Sequence, residues 1–579
     1  MYLLGIHDGH NASAALMKDG VVTDAIQEER FNKIKNFGGF PEKSVEYLLK
    51  KNGLTFNDIN QYVFASEIGY WLGLENRDRV LKKYKMRFNS KLPFFHNIKI
   101  LLKRFIPNFL INHIRGKRHT KIAKIRCEYF FSKGVKKEKI HFLEHHLCHA
   151  SSAAYGSGNQ NDTLVVTLDS SGDYSSGSVS IFSKGGLKKI LDIPSDDSLG
   201  RLYSYVTYYL GMVPLEHEYK IMGLAPYSEN SKYSKDISKI FESMYYFDND
   251  ISFKISKKIG SAKNLGKFIT EGLKQKRFDN VSAGLQIFLE KFVCKWIEKL
   301  VKHTKIKKIA LAGGIFMNVK LNKKISELDC IDSIFIFPSC GDETNPFGAL
   351  YRRYFEITKE IPEKLTSFYL GNDYKNEEIK NDYEKYIFKN FKTKITFFDD
   401  IEKKVSELIF QDKIVARFKG RMEFGARSLG NRAILCNASN TQLVQQINNI
   451  IKNRDFWMPF APSLINEKVL LNNPKNILMD YMIIASDFKK EYQNKFRAVV
   501  HPYDQSCRPN VVSKDINGDY YKLIEYYSKL SGHGVILNTS FNLHGLPIVS
   551  EPKDAFNVFD NSGLKYLAIE NYLIEKLGE

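Results

Sequence analysis

The chain opens on Tyr2-Leu3-Leu4-Gly5-Ile6-His7-Asp8-Gly9-His10-Asn11-Ala12-Ser13-Ala14-Ala15-Leu16, and this stretch decides the fold. An apolar run leads into an Asp/Gly loop and a second apolar run. The turn Lys18-Asp19-Gly20 and a third run, Val21 to Ile26, follow. The same order returns later. Val165 to Leu168 leads into Asp169-Ser170-Ser171-Gly172, then Gly177 to Phe182, the turn Ser183-Lys184-Gly185-Gly186, and Leu187 to Ile193. Both copies read strand, Asp/Gly loop, strand, Gly turn, strand.

A duplicated hairpin with an Asp/Gly turn at its mouth resembles the core of actin-like ATPases. The resemblance implies two related halves closing over a nucleotide. Their turns would bring backbone N–H groups and a carboxylate near phosphates or a metal. The competing reading is an ordinary antiparallel sheet, where such hairpins are common.

Between the copies lies Glu144-His145-His146-Leu147-Cys148-His149-Ala150-Ser151-Ser152-Ala153, which reads as a short helix. Positions i and i+4 share a helix face, so His145 and His149 point at one ion while His146 lies about 100° round the helix. With a carboxylate from the following strand mouth, two imidazoles form a mixed N/O site suited to zinc or iron. Ordinary surface histidines are the alternative for an HxxxH taken alone.

Two further strands end in comparable turns. Ile309 to Ala312 runs into Gly313-Gly314, where small residues let a flat ring or a phosphate approach the backbone. Phe335 to Phe337 leads to Gly341-Asp342, a second carboxylate at a strand mouth, and the run Gly348-Ala349-Leu350 marks a helix start. From Glu356 to Thr366 the sequence turns charged and contains Pro, which marks a linker. Beyond it arginines cluster with glycines, notably between Ala416 and Arg432, in a chain otherwise rich in Lys. Arg offers a planar fork to phosphate, and Gly lets the backbone close in.

Composition fits a large enzyme. With 579 residues, 43% of them hydrophobic, the chain builds two or more cored domains. No apolar run reaches 18 residues, and no basic-then-apolar leader precedes the first strand, so the expectation is a cytoplasmic protein without a transmembrane helix. The seven cysteines form no C-x-x-C pair, which argues for a reducing compartment.

The net charge of +21 is uneven. Fourteen basic residues between Lys82 and Arg126 are interrupted by no Asp or Glu. Apolar residues recur there at helical spacing, including Phe94, Phe95, Ile98, Leu101, Leu102 and Phe105. A basic amphipathic segment meets nucleic acid, an anionic membrane or an anionic substrate. A solvated basic insert is the plain alternative.

GHNASAA at Gly9 to Ala15, EERF at Glu28 to Phe31, HHLCHA at His145 to Ala150 and KIMGLAPY at Lys220 to Tyr227 resemble motifs of one family, the O-carbamoyltransferases of tobramycin, cephamycin and nodulation-factor synthesis. GRMEFGARSLGNR at Gly420 to Arg432 and LNTSFNLHGLPIV at Leu537 to Val549 extend the resemblance over nearly the whole chain.

The resemblance implies an α/β protein: a duplicated actin-like (ASKHA, threonylcarbamoyl-transferase-like) domain over residues 1–357, with a basic insert at about 70–135, followed by a YrdC-like domain over 358–579. It also implies two reactions. Carbamoyl phosphate and ATP, with Mg, give carbamoyl-adenylate and pyrophosphate in the second domain. The first domain then passes the carbamoyl group to an acceptor hydroxyl. Residue by residue, His145, His149, Asp169 and Asp342 would ligate the metal, and His10 would take the hydroxyl proton. Lys220, Gly223, Gly314 and Asn318 would line the adenylate pocket. Arg421, Arg427, Lys452, Arg454, Arg508 and Ser540 would hold carbamoyl phosphate and the ATP phosphates. The basic segment and the Ser-rich loop Asp169 to Asp173 depart from the family's pattern and bear on the acceptor.

The expected acceptor is a sugar or other small molecule, including an anionic one, a polysaccharide or a secondary-metabolite precursor. The alternative is a tRNA-modifying threonylcarbamoyl-type transferase, which the positive charge invites and the Arg-rich C-terminal motifs oppose. A non-catalytic nucleic-acid or membrane-binding protein is a third reading; His10, the HxxxH helix and both Asp/Gly turns weigh against it.

Overall fold

The computed structural model describes residues 1–69, 77–89, 123–159, 161–184, 186–249 and 251–577. Strands β1 (Tyr2–His7), β2 (Ser13–Lys18) and β3 (Val21–Gln27) form an antiparallel meander. On the other side of β1, β4 (Gln61–Phe64) and β5 (Ile140–Phe142) add in parallel, giving the order β3-β2-β1-β4-β5. The second copy is built from β6 (Thr163–Gly172), β7 (Ser175–Ser183) and β8 (Gly186–Pro194). A small hairpin, β9 (Tyr245–Phe247) with β10 (Phe253–Ile255), precedes β11 (Lys308–Ala312) and β12 (Ser333–Ile336). The second sheet runs β12-β11-β6-β7-β8, again a meander with two parallel strands beside its first member. The same order and the same directions, twice, make this a duplicated actin-like fold.

Burial explains the strand patterns. Leu3, Leu4 and Ile6 of β1 are fully buried because β1 is a central strand packed on both faces. Edge strand β8 instead exposes Lys188 and Lys189, charges that discourage further strand pairing. The halves are tied by the helix Asn345–Thr358, which crosses the HxxxH helix His145–Gly156. A Cβ at Gly348 would lie 1.7 Å from the Cys148 carbonyl oxygen, so only Gly permits that crossing.

The C-terminal part carries a mixed sheet of eight strands, in the order 392–397, 572–577, 566–569, 415–418, 432–437, 535–540, 461–464 and 510–511. Its central strand Val415–Phe418 is wholly buried. Of the basic segment, Lys82, Lys83, Lys85 and Arg87 lie on the helix Arg77–Asn89. The stretch from Lys91 to Lys121, with its apolar residues Phe94 to Phe105, lies outside the described residues. No helix among the described residues is long and apolar enough to cross a membrane.

Candidate active site and metal centre

The helix His145–Gly156 starts where Glu144 accepts hydrogen bonds from the His146 and Leu147 amides at 2.8 Å each. One turn apart, the Nε2 atoms of His145 and His149 stand 3.1 Å from each other. His146 faces elsewhere and pairs its Nδ1 with Thr167 Oγ1 at 2.9 Å. Asp169 sits where the β6–β7 register breaks between Leu168 and Gly172, which turns its carboxylate out of the ladder. Asp342 follows β12 at the start of a single 3-10 turn.

Asp342 Oδ1 is 3.3 Å from each imidazole Nε2, and Asp169 Oδ2 is 3.5 Å from each. Ligands of one zinc or iron ion lie roughly 3–3.5 Å apart, because each sits about 2.0–2.2 Å from the ion. All four donor atoms fall within 4.8 Å of one another. Burial disfavours charge on His145, yet Asp342 and Asp169 outweigh it and hold the imidazole well above its ordinary pKa. Two carboxylates facing two imidazoles thus demand about two positive charges, which one divalent cation supplies with both rings neutral. The residues fit a metal. Asn345 Nδ2 lies 3.3 Å from His149 Nε2, and Asp173 takes the His145 amide at 2.9 Å while accepting from Ser66 Oγ at 2.8 Å. Asp173 thus fixes the start of the ligand helix from behind, whereas Asn345 stands on the ligand face of the His149 ring.

These groups open into a cavity of about 1090 Å³. His10, His145, Asp169 and Asp342 line it, as do Lys220, Gly223, Gly314, Asn318, Arg427, Lys452, Arg454, Arg508 and Ser540. Residues from both ends of the chain therefore share one chamber. Lys452 is buried, with Nζ donating to Asn542 Oδ1 at 2.7 Å and to Ser540 Oγ at 3.2 Å. Burial pushes its pKa well below 10.5, and Arg454 and Lys35 push it the same way. Burial also weighs on Arg508, followed by the like charges of Arg427 and Arg454. A guanidinium stays protonated in proteins, so these residues form a cationic cluster held at a cost until an anion arrives. Arg508 Nε is buried with no partner among the described residues, as a ligand donor would be.

Several expected residues make contacts beyond those their sequence reading gave. Arg421 does not line the cavity. Its guanidinium donates to Asp24 Oδ1 at 2.8 Å and to the carbonyls of Thr23 and Leu370, so a carboxylate of the first half already neutralises it. Asn318 lines the cavity, but its amide is spent: Oδ1 accepts from the Leu321 amide and Nδ2 donates to Gln286. Lys220 pairs with Asp455 at 2.9 Å, joining the two parts of the chain. Gly314 also packs against the His/Asp cluster, where a Cβ would come within 2.8 Å of Asp169 Oδ1. Arg126, the last of the basic run, is buried in a bidentate pair with Asp8 at 2.5 and 2.6 Å.

His7 escaped the sequence reading. It is buried beside the cluster, 3.8 Å from Asp342 Oδ2. Burial lowers its pKa to about 4, so the ring is neutral and Nε2–H donates to the His10 carbonyl at 3.1 Å. The spacing His7-x-x-His10 was the available signal, but at the end of a buried strand it does not reveal that both residues line the chamber.

A duplicated actin-like fold with a buried His/Asp cluster fit for a metal and a cationic pocket on one cavity has the makings of a group-transfer enzyme. The models for the carbamoyltransferase N-terminus and C-terminus match residues 2–350 and 406–576. The chain belongs to the carbamoyltransferase family and is an enzyme that transfers carbamoyl groups. An uncharacterized protein of Methanocaldococcus jannaschii, MJ1051, is 31% identical over 99% of this chain and 100% of its own length. The nodulation protein NolNO of Sinorhizobium fredii is 29% identical over 98% of this chain and 79% of its own. Among solved structures, full-length HypF in its phosphate- and nucleotide-bound form covers 63% of this chain and 56% of its own, at 11% identity and a TM-score of 0.33. The fold assignment rests on strand order and not on that likeness.

Proposed function

We propose that this chain is an ATP-dependent O-carbamoyltransferase acting in two steps. Carbamoyl phosphate, ATP and water give carbamoyl-adenylate, pyrophosphate and phosphate, with Mg accompanying ATP, in the YrdC-like part over residues 358–579. The carbamoyl group then passes to an acceptor hydroxyl in residues 1–357, releasing AMP. The observation that carries this reading is the single chamber lined by His10, Asp169 and Asp342 on one side and by Arg427, Lys452, Arg454, Arg508 and Ser540 on the other. A reactive mixed anhydride made in one part reaches the other without meeting bulk water.

The residues divide the work. Arg427, Lys452, Arg454 and Arg508 screen the negative charge of two anions brought together, and Ser540 adds a hydroxyl to the cradle. A sugar hydroxyl has a very high pKa, so His10 serves as its general base. His7, bonded to the His10 carbonyl, fixes the loop that carries that base. A divalent ion held by His145, His149, Asp169 and Asp342 would supply Lewis-acid polarisation of the carbamoyl oxygen.

The test is pyrophosphate release from ATP and carbamoyl phosphate by the full chain, with and without tRNA. Release that needs carbamoyl phosphate and ignores tRNA is expected. Release that requires tRNA would favour a threonylcarbamoyl-type enzyme, and no release would sink the adenylation step.

A further inference from the structure

The chamber has a second positive wall that the two-step reaction does not use. Lys82, Lys83 and Arg87 project from the helix Arg77–Asn89 to line it, and Arg201 lines it from the helix Leu199–Tyr209. Arg201 is fixed relative to the metal centre. Its amide donates to Ser198 Oγ at 3.0 Å, and that hydroxyl donates to the Ser170 carbonyl at 2.7 Å, one residue beyond Asp169. The Arg201 guanidinium donates to the Ser195 carbonyl at 2.7 Å through Nη1, leaving the rest of its fork available. The Arg87 guanidinium lies 5.8 Å from the centre of the Tyr205 ring, on the same helix as Arg201.

Lys83, Arg87 and Arg201 are mutual neighbours. Burial lowers the Lys83 pKa, and Arg87 and Arg201 lower it further. Burial lowers that of Arg201, with Arg87 adding to the effect. None of the three makes an ion pair among the described residues, although the acids around them do have partners. Asp196 takes the Ser261 hydroxyl at 2.6 Å and Lys263 at 3.3 Å. Glu218 accepts from the Leu215 amide at 2.7 Å. This set shares no member with the Arg427, Lys452, Arg454 and Arg508 cluster.

We propose that Lys83, Arg87 and Arg201 form a second anion site that binds the phosphate or diphosphate of a phosphorylated sugar, the acceptor of the carbamoyl group. Three cations that make no ion pair among the described residues suit a multiply charged anion, and guanidinium forks suit phosphate oxygens. The hydrogen bonds of Ser198 to the Arg201 amide and the Ser170 carbonyl tie the backbone that carries Arg201 to the Asp169 loop. A sugar anchored there by its phosphate shares the chamber with His10. This inference rests on the carbamoyl-transfer reading, and it adds the class of acceptor.

The probe is UDP-glucose, with glucose as the uncharged control. Both are titrated calorimetrically into the metal-loaded full chain saturated with carbamoyl phosphate and α,β-methylene-ATP, which occupy the other cationic cluster. UDP-glucose should bind, glucose should not, and Arg87→Gln/Arg201→Gln should weaken UDP-glucose at least ~10-fold, the loss of about 1.4 kcal/mol or more. The affinity should also fall with salt in the wild type and much less in the variant. A parallel arm with polyprenyl-diphosphate-linked glucose in neutral vesicles separates a lipid-borne acceptor from a free one. Binding in either arm that the substitutions weaken supports the site. No binding in both arms, equal binding of glucose, or binding indifferent to the substitutions overturns it. Lys83→Gln supplies the same comparison if the double variant does not fold. Pyrophosphate release from ATP and carbamoyl phosphate is measured alongside. Its absence in the wild type marks a failure of the two-step reading, whereas its persistence with indifferent acceptor binding marks a failure of the anion site alone.

Discussion

The Nε2 atoms of His145 and His149 stand 3.1 Å apart and face the carboxylates of Asp169 and Asp342, from two other elements, across 3.3 to 3.5 Å. His149→Ala removes one of four donors. Purified protein should lose most of its bound metal, and carbamoyl transfer should be abolished. Equal metal content in variant and wild type, read by elemental analysis, would contradict the proposed centre.

Gly314→Ala probes the same centre without touching a ligand. The added Cβ would lie 2.8 Å from Asp169 Oδ1, so the carboxylate must shift. Metal affinity should drop by roughly 10–100-fold, the usual effect of disturbing a ligand's support. A chelator competition titration reads this directly.

The two half-reactions should separate by mutation. Arg454→Ala removes a guanidinium from the cationic pocket, where Nη2 donates to Thr539 Oγ1 at 2.9 Å, and should stop pyrophosphate release. His10→Ala should leave release largely intact and slow transfer by roughly 10²–10⁴. If His10→Ala blocks release as strongly as transfer, its role as base is wrong.

Arg421→Ala should behave unlike Arg454→Ala. Arg421 ties Asp24 and the Thr23 carbonyl to the C-terminal part. The side chain is 36% exposed, so solvent screening reduces the value of this charge pair. We expect a loss of about 1–2 kcal/mol, seen as a Tm lower by a few degrees, with KM for carbamoyl phosphate little changed. A large rise in that KM at unaltered Tm would restore Arg421 to the substrate site.

Lys452 predicts a pH dependence. Its folded-state pKa lies well below the unfolded 10.5, because burial opposes the charge. The resulting cost to the ligand-free fold is full below the lowered pKa and gone above 10.5. An anion reverses the balance by favouring the charged form. Affinity for carbamoyl phosphate should therefore fall as pH rises through the lowered pKa, and binding should take up a proton there. Calorimetry in two buffers of different ionisation enthalpy measures that uptake, which Lys452→Met should remove. Proton release on binding would show that the sign is wrong.

The duplicated hairpin was legible because strand alternation and Gly turns are local, each spelled within a few residues. Tyr2–His7 and Thr163–Gly172 announce themselves without reference to anything distant. The same holds for His145 and His149, whose shared face follows from 3.6 residues per turn. The arginines were different. Arg421 and Arg427 sit six residues apart in one Gly-rich run, yet the first is neutralised by Asp24, 397 positions away, and the second faces the cavity. Arg126 belongs by composition to the basic segment, but the fold pairs it with Asp8. The sequence by itself thus determined the two repeats and the side chains offered to a metal. Only the tertiary structure decided which cations remain unpaired and that the two clusters share one chamber, because charge neutralisation is settled by packing between residues far apart along the chain.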